Sequence, residues 1–564
     1  MRRLALGYRA GSTIISAGLL AAGSLLLAIN DARPAAAQAA AEDVPAVEIP
    51  VRNRGRYTMP RGASVTAADL KRKLAALTLR EQRRPQPKHA AELARLKNLP
   101  APRNVPTRYV PEAQPRVLEL TKSCFGGQGD GSDPSSNVSG AKGQSGMFVQ
   151  ATSLTVTSID FSGNCADRSE QPLDDVLGVT GNEHAFEPHV HYDPATNRWF
   201  IGAAGFNFSN GNQSLLLAHS ADGLDWTRLA IPLVENGTTS CLLDPFNGVF
   251  YPKVVIYPTG VPGEPRIVVA AVQEGVDKTA AVVTASVDGS PKAACPPTPD
   301  GMPPVQPVKY ESFEAALAYT FLGFVPDIRV ARAGARKIQR YELTLGSRPS
   351  RDRLRRKTPI TVPAWKPPPD ARQPNGQKLD TGDGGFTAPG VQIGDRIWIV
   401  HTVNDGGFAR PEVYELSTTA DTPVAVYRLS SVPEENDHLF NASIAVNGAG
   451  ANGIAFVNAT RTIRTGGPTG RAAMVVLSGP HASATGWESV VVKTSPGQFS
   501  NVGVGNSCNN TAQGGCNWGA YSSIQIDPLS KNRAWATNQL ATKGTINGAG
   551  SDFNWSTVIG GVKR

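Results

Sequence analysis

Residues 187–204 read EPHVHYDPATNRWFIGAA. Polar and apolar side chains alternate through His189-Val190-His191-Tyr192, a turn follows at Asp193-Pro194, and Arg198–Ala203 forms a second, apolar run, which is the pattern of a β-hairpin. The device recurs at 251–271 (YPKVVIYPTGVPGEPRIVVAA), 387–402 (TAPGVQIGDRIWIVHT), 441–458 (NASIAVNGAGANGIAFVN) and 520–538 (AYSSIQIDPLSKNRAWATN). Counted from Pro188, Tyr251, Thr387, Asn441 and Ala520, successive starts lie 63, 136, 54 and 79 residues apart. The long interval holds two units, the second running through Glu311 to Leu345, and a further unit fits Gly146 to Asp160. Each hairpin is too small to bury its own sheet face, so the units must cover one another. The expectation is an all-β fold, a six- or seven-bladed β-propeller with a short, partly helical N-terminal extension. A pair of β-sandwiches is the rival, but it gives no reason for a repeated first hairpin, whereas a closed ring leaves only short strand edges.

The rest of the chain agrees. Among its 564 residues are 57 Gly and 44 Pro, with only 18% charged, a turn-rich composition that suits many short strands. Runs such as Leu154–Ile159, Ser214–His219, Arg266–Val272, Ala280–Ser286, Arg396–Val403 and Ala473–Leu477 are bounded by Gly, Pro, Asn and Asp. Phe313–Phe321 reads as a short helix or a buried strand.

The chain opens with Arg2, Arg3 and Arg9, an apolar run from Thr13 to Ile29, and small residues around Ala35–Ala39. That order predicts a cleaved signal peptide over 1–39, and so an exported protein, periplasmic or extracellular, with no transmembrane segment after cleavage. Residues 40–120 are rich in Pro, Ala and Arg and poor in aromatics, as in a linker. Within them Leu70, Leu74, Leu77, Leu79, Leu93 and Leu96 predict one or two short helices interrupted at Pro85 and Pro87. The propeller domain is assigned to 121–564. The net charge of +9 falls to about +6 without the four arginines and one aspartate of 1–39. The excess cations lie in Lys71–Lys97 and Arg329–Lys357, without the interleaved aromatics of a nucleic-acid platform, so no nucleic acid is expected as partner.

Ser220-Ala221-Asp222-Gly223-Leu224-Asp225-Trp226 resembles the Asp-box, S-x-D-x-G-x-x-W, of the sialidase-type propellers, one residue shorter between Asp and Gly. Ser220, Asp222 and Gly223 suit a hairpin turn, and Trp226 supplies an apolar plug between strands. With DHLFNASIAVN, NWGAYSSIQIDP and the closing NWSTVIGG, roughly Phe148 to Val562 resembles a group of secreted bacterial propellers related to those sialidases. The resemblance implies the fold and no particular reaction. The Arg-Ile-Pro strand typical of sialidases is missing where the propeller begins.

Six cysteines form an even set without a C-x-x-C pair, which predicts disulfides in an exported chain. Cys508 with Cys516 is the first expected pair; sequential order pairs Cys124 with Cys165 and Cys241 with Cys295. His184, His189 and His191 cluster near Glu187, but Pro188 interrupts the pattern and no carboxylate-rich loop follows, so no metal ligands are assigned, although a structural Ca2+ is compatible with the fold. No nucleophile elbow, P-loop or zinc-protease motif occurs. Ligands of propellers bind over the central channel, so the candidate ligand-binding residues are those opening the inner strands: Glu187, His189, Tyr251, Lys253, His438, Asn441, Trp518 and Tyr521. Such aromatic, amide and charged groups suit a glycan or a surface protein, and the favoured reading is a monomeric, non-catalytic binding module. The alternative is a glycoside hydrolase or polysaccharide lyase of sialidase-like architecture. An enzyme should gather several groups with perturbed pKa in one place, and a binder need not.

Overall fold

The computed structural model describes residues 46–564 apart from several segments, the longest at 80–89, 112–117, 130–136, 241–247, 259–264, 311–317, 325–334, 432–436, 464–469, 500–515 and 543–553, with shorter stretches and single positions besides. The signal peptide expected over 1–39 lies outside the described residues. No described helix is long and apolar enough to cross a membrane.

The chain forms a β-propeller. Its blades lie in six sheets, one of them ten-stranded. That sheet is two antiparallel units joined by a single parallel pairing of Val308–Tyr310 with Gly390–Gln392, so the six sheets carry seven antiparallel units, here blades 1 to 7. Their inner strands are Ser139–Lys142, Glu183–Asp193, Gly248–Tyr257, Gln306–Tyr310, Gly390–Ile393, Asp437–Val446 and Ser523–Asp527. Each touches the next, and the seventh touches the first, which closes the ring. Hydrogen bonds between the two ends of the domain reinforce the closure: the C-terminal strand Asn554–Lys563 of blade 7 pairs with Glu119–Gly129, contributed from before blade 1. Of the ambiguous stretch Phe313–Phe321, residues from Ala318 on belong to the strand Ala318–Phe324.

Every blade is buried on both faces, and the strand period of two decides which neighbour each side chain meets. Along Arg198–Asn207, Trp199, Ile201 and Ala203 point into the core shared with blade 1, while Phe200 and Ala204 point into the core shared with blade 3. Similar clusters fill the remaining five interfaces. Two buried faces explain why these strands read as apolar runs. Where blades approach most closely the residue is glycine: a Cβ on Gly202 would stand 2.1 Å from Val254 Cγ2.

Within residues 46–110, three strands add to the outer edges of blades. Val47–Ile49 pairs with the outer strand of blade 3, Arg52–Thr58 with that of blade 2, and Thr107–Tyr109 with that of blade 5. The helix Ala90–Lys97 belongs to the same segment. Buried Lys73 pins it further, donating to Asp174 at 2.5 Å at the start of the helix Leu173–Leu177. His184 Nδ1 and the Ala185 N–H each lie 2.8 Å from the same carboxylate. Burial would raise Asp174, but Lys73 and these hydrogen bonds outweigh it and hold the group at about 2. A depressed carboxylate stabilises the fold above its ordinary range, near pH 4, and that contribution is lost as pH falls toward 2. Asp174→Asn should therefore remove roughly 2–3 kcal/mol at neutral pH and flatten the acid limb of the unfolding curve between about pH 4 and 2, read by denaturant titration at several pH values.

Candidate functional site

Three inner strands carry the same irregularity. Glu187-Pro188 together oppose Ala203, Tyr251-Pro252 oppose Ala271, and Asn441-Ala442 oppose Ala459, so each pair is a β-bulge of two residues against one. A bulge re-aims the side chains that follow it, and proline suits it because no ladder donor is needed there. Glu187 and Asn441 also adopt left-handed backbone, φ 53° and 51°, a strained conformation that collects at functional sites.

Behind the bulges, groups from separate blades meet at the ring axis. Lys253 of blade 3 places Nζ 3.0 Å from the ring centroid of Tyr521, which lies just before the inner strand of blade 7. The Tyr521 hydroxyl donates to the Pro188 carbonyl of blade 2 at 3.3 Å. His189 Nδ1 accepts from the Val254 N–H at 3.1 Å. Lys253 is 1% exposed; burial lowers its pKa to about 7 against the opposing pull of Glu187. Burial, and then the nearby lysines Lys253 and Lys309, hold His189 well below the usual histidine range, and burial and Lys309 do the same for His191.

A second place lies near the start of the inner strand of blade 6. A cleft of about 200 Å3 is lined by Lys97, Asp370, Arg372, Lys378, Phe408 and His438. The short hairpin Ala371–Arg372 with Lys378–Leu379 builds one wall, held by a bridge from Leu379 to Cys516. Lys97, delivered by the helix Ala90–Lys97, lies 2.7 Å from Asp370 and 2.7 Å from Asp380. Burial raises the pKa of Asp370, and the charge of Asp380 adds to this against the pull of Lys97.

The expected ligand residues thus fall in different surroundings. Glu187, His189, Lys253 and Tyr521 come together at the axis, and His438 stands in the cleft, its Nδ1 accepting from the Ala409 N–H at 3.2 Å. Asn441 bridges blades 6 and 7, its amide donating to the Gly519 carbonyl and its carbonyl accepting from Ser522 Oγ at 2.7 Å. Trp518 is in an apolar cluster with Phe440 and Phe499. The side chain of Tyr251 lies outside the described residues. Ser220 Oγ accepts from the Gly223 N–H, and Asp222 Oδ1 from the N–H groups of Leu224 and Asp225, all at 2.8 Å. Gly223 turns with φ 78°, and Trp226 is buried in the core of blades 1 and 2; this turn is architecture. Cys165, Cys295 and Cys516 are not free thiols, while Cys241, Cys508 and the side chain of Cys124 lie outside the described residues. Among the described residues no group of three or more His, Cys, Asp or Glu is placed to hold a metal ion.

No family model matches the chain, and no curated protein matches it. Among solved structures, a glycosyl hydrolase from Bacteroides ovatus is 10% identical, with 66% of this chain and 97% of that one covered and a TM-score of 0.30. The β-fructofuranosidase of Bombyx mori is 12% identical over 88% and 98%, TM-score 0.29. An endo-arabinase from Bacteroides thetaiotaomicron is 11% identical over 55% and 95%, TM-score 0.25. No residue role is carried over at such identities.

Sequence reading passed over Lys97, Asp370 and Asp380. The two aspartates sit in a Pro- and Gly-rich stretch, PPPDARQPNGQKLDTGDGG, without a motif, and Lys97 comes from a segment read as linker.

Proposed function

We propose that this chain is a carbohydrate-cleaving β-propeller, a glycoside hydrolase that acts outside the cytoplasm, with its active site in the cleft between Lys97 and His438. The observation that carries this reading is the carboxylate pair. Asp370 and Asp380 each approach the same Lys97 Nζ at 2.7 Å, so their nearest oxygens are at most twice that distance apart. Retaining glycosidases hold their two carboxyl groups about 5–5.5 Å apart. The environments of the two also differ, since Asp370 is the more buried and has the raised pKa. Unequal carboxyls are what acid and nucleophile roles require.

In this reading Asp370 gives its proton to the oxygen of the departing sugar as Asp380 adds to the anomeric carbon and the glycosidic C–O bond breaks; water, giving a proton back to Asp370, then displaces Asp380 and releases the second sugar. Lys97 is a positioning residue that holds both carboxyls, and Phe408 offers an aromatic face to the sugar ring. The non-catalytic binder remains the competing reading, and a concave site with convergent polar groups and a perturbed acid favours the enzyme over it. Export by the signal peptide, and disulfides Cys508–Cys516, Cys124–Cys165 and Cys241–Cys295, belong to the same proposal.

The deciding experiment is a screen of the purified chain, lacking 1–39, against fluorogenic glycosides, sialosides and acidic polysaccharides, with thermal-shift binding read in the same wells. Turnover of at least one glycoside is expected. Melting shifts without turnover would make the protein a glycan-binding module, and silence across the panel would remove carbohydrate from the account.

A further inference from the structure

At the ring axis a buried cation has no acceptor. Lys253 Nζ makes no hydrogen bond to the protein, and neither does buried His191 Nδ1. An ammonium carries three donors, and leaving them unpaired in a low-dielectric interior is costly, so a native structure that keeps such a group has a use for it. Tyr521 covers one side of Lys253 with its ring and satisfies none of these donors. The charged neighbours are Glu187, which acts on Lys253 through its charge, and Lys309, which acts on both histidines. With His189 and His191 neutral, Lys253 has the charge of Glu187 acting on it and no hydrogen-bond acceptor of its own.

We infer that the axis of the propeller is a binding site for a monovalent inorganic anion, held by Lys253 Nζ with Tyr521 packed against the cation. Glu187, Lys253 and Tyr521 are supplied by blades 2, 3 and the approach to blade 7, so an anion here ties together parts of the ring far apart in sequence. A bound anion also supplies the charge partner that keeps Lys253 protonated. The site is separate from the cleft of Asp370 and Asp380 and stands whether or not the chain cleaves a glycoside.

Bromide is the probe. Crystals of the full mature chain grown in sodium bromide should show one anomalous peak within hydrogen-bond distance of Lys253 Nζ. In solution the melting temperature should rise saturably with bromide relative to sodium gluconate at equal ionic strength. Lys253→Met should abolish that rise. Glu187→Gln, read at mildly acidic pH so that Lys253 stays protonated without the pull of Glu187, should lower the half-saturating bromide concentration roughly tenfold, a gain that a variant damaged in folding would not produce. A water in place of bromide, or a melting rise that neither saturates nor responds to the two substitutions, overturns the inference.

Discussion

Asp370→Asn and Asp380→Asn are each expected to lower glycoside turnover by about 10³-fold, measured at a temperature where each variant is still folded, because each also leaves buried Lys97 with one charge partner fewer. Asparagine keeps the shape of the carboxyl but neither gives up a proton nor carries charge, so both roles in glycosidic cleavage are lost. The pH profile separates this from a structural role. An acid must be protonated to act, so activity should fall as pH rises through the raised pKa of Asp370. Lys97→Met removes the cation that opposes the shift and leaves burial and Asp380 to act alone, so the alkaline fall in rate should move to higher pH. Full turnover in both asparagine variants would place the chemistry elsewhere, with the axial cluster of Lys253 and Glu187 the next candidate.

The second large effect is on stability. Arg428→Met should cost about 3–5 kcal/mol, because the guanidinium is the common partner of two buried carboxylates. Its Nε donates to Glu412 at 2.7 Å and its Nη1 to Asp405 at 3.0 Å, and all three side chains are almost fully shielded from solvent. Glu412 also accepts from the Tyr414 hydroxyl and has His401 Nε2 at 3.4 Å. Asp405 accepts from Thr107 Oγ1 at 2.6 Å, and Arg428 reaches Asn104 at 3.3 Å. The network therefore fastens the N-terminal segment to blade 5. Loss of Arg428 should lower the urea midpoint and also speed proteolysis before Thr107. A change below about 1 kcal/mol, the size expected of an exposed ion pair, would show that the carboxylates find other partners.

How much was legible follows from which interactions are local. The hairpins at 187–204, 251–271 and 441–458 could be read because strand alternation, turn chemistry and apolar runs are written in neighbouring residues. The uncertainty between six and seven blades lay in the unit at Gly146–Asp160; not legible at all was the joining of blades 4 and 5 into one sheet, a pairing between residues about eighty positions apart. Glu187, His189, Lys253 and Tyr521 were legible as residues opening inner strands, because bulge-forming pairs such as Glu187-Pro188 and Tyr251-Pro252 recur in the repeat. Trp518 looked the same in sequence, yet it lies in the apolar cluster beside Phe499, since an aromatic near a strand start serves channel or core equally well.

The sequence by itself determined a ring of small sheets, because six or seven repeated hairpins, each unable to bury its own faces, have few other ways to be covered. It also marked Ser220-Ala221-Asp222-Gly223 as a turn, because that network closes within six residues. Only the tertiary structure decided that Val47–Ile49, Arg52–Thr58 and Thr107–Tyr109 lie along blade edges, that Glu119–Gly129 completes blade 7, and that Lys97 stands between Asp370 and Asp380. Those contacts join residues from 167 to 444 positions apart, and their stability comes from burial and charge pairing that exist only once the ring has closed.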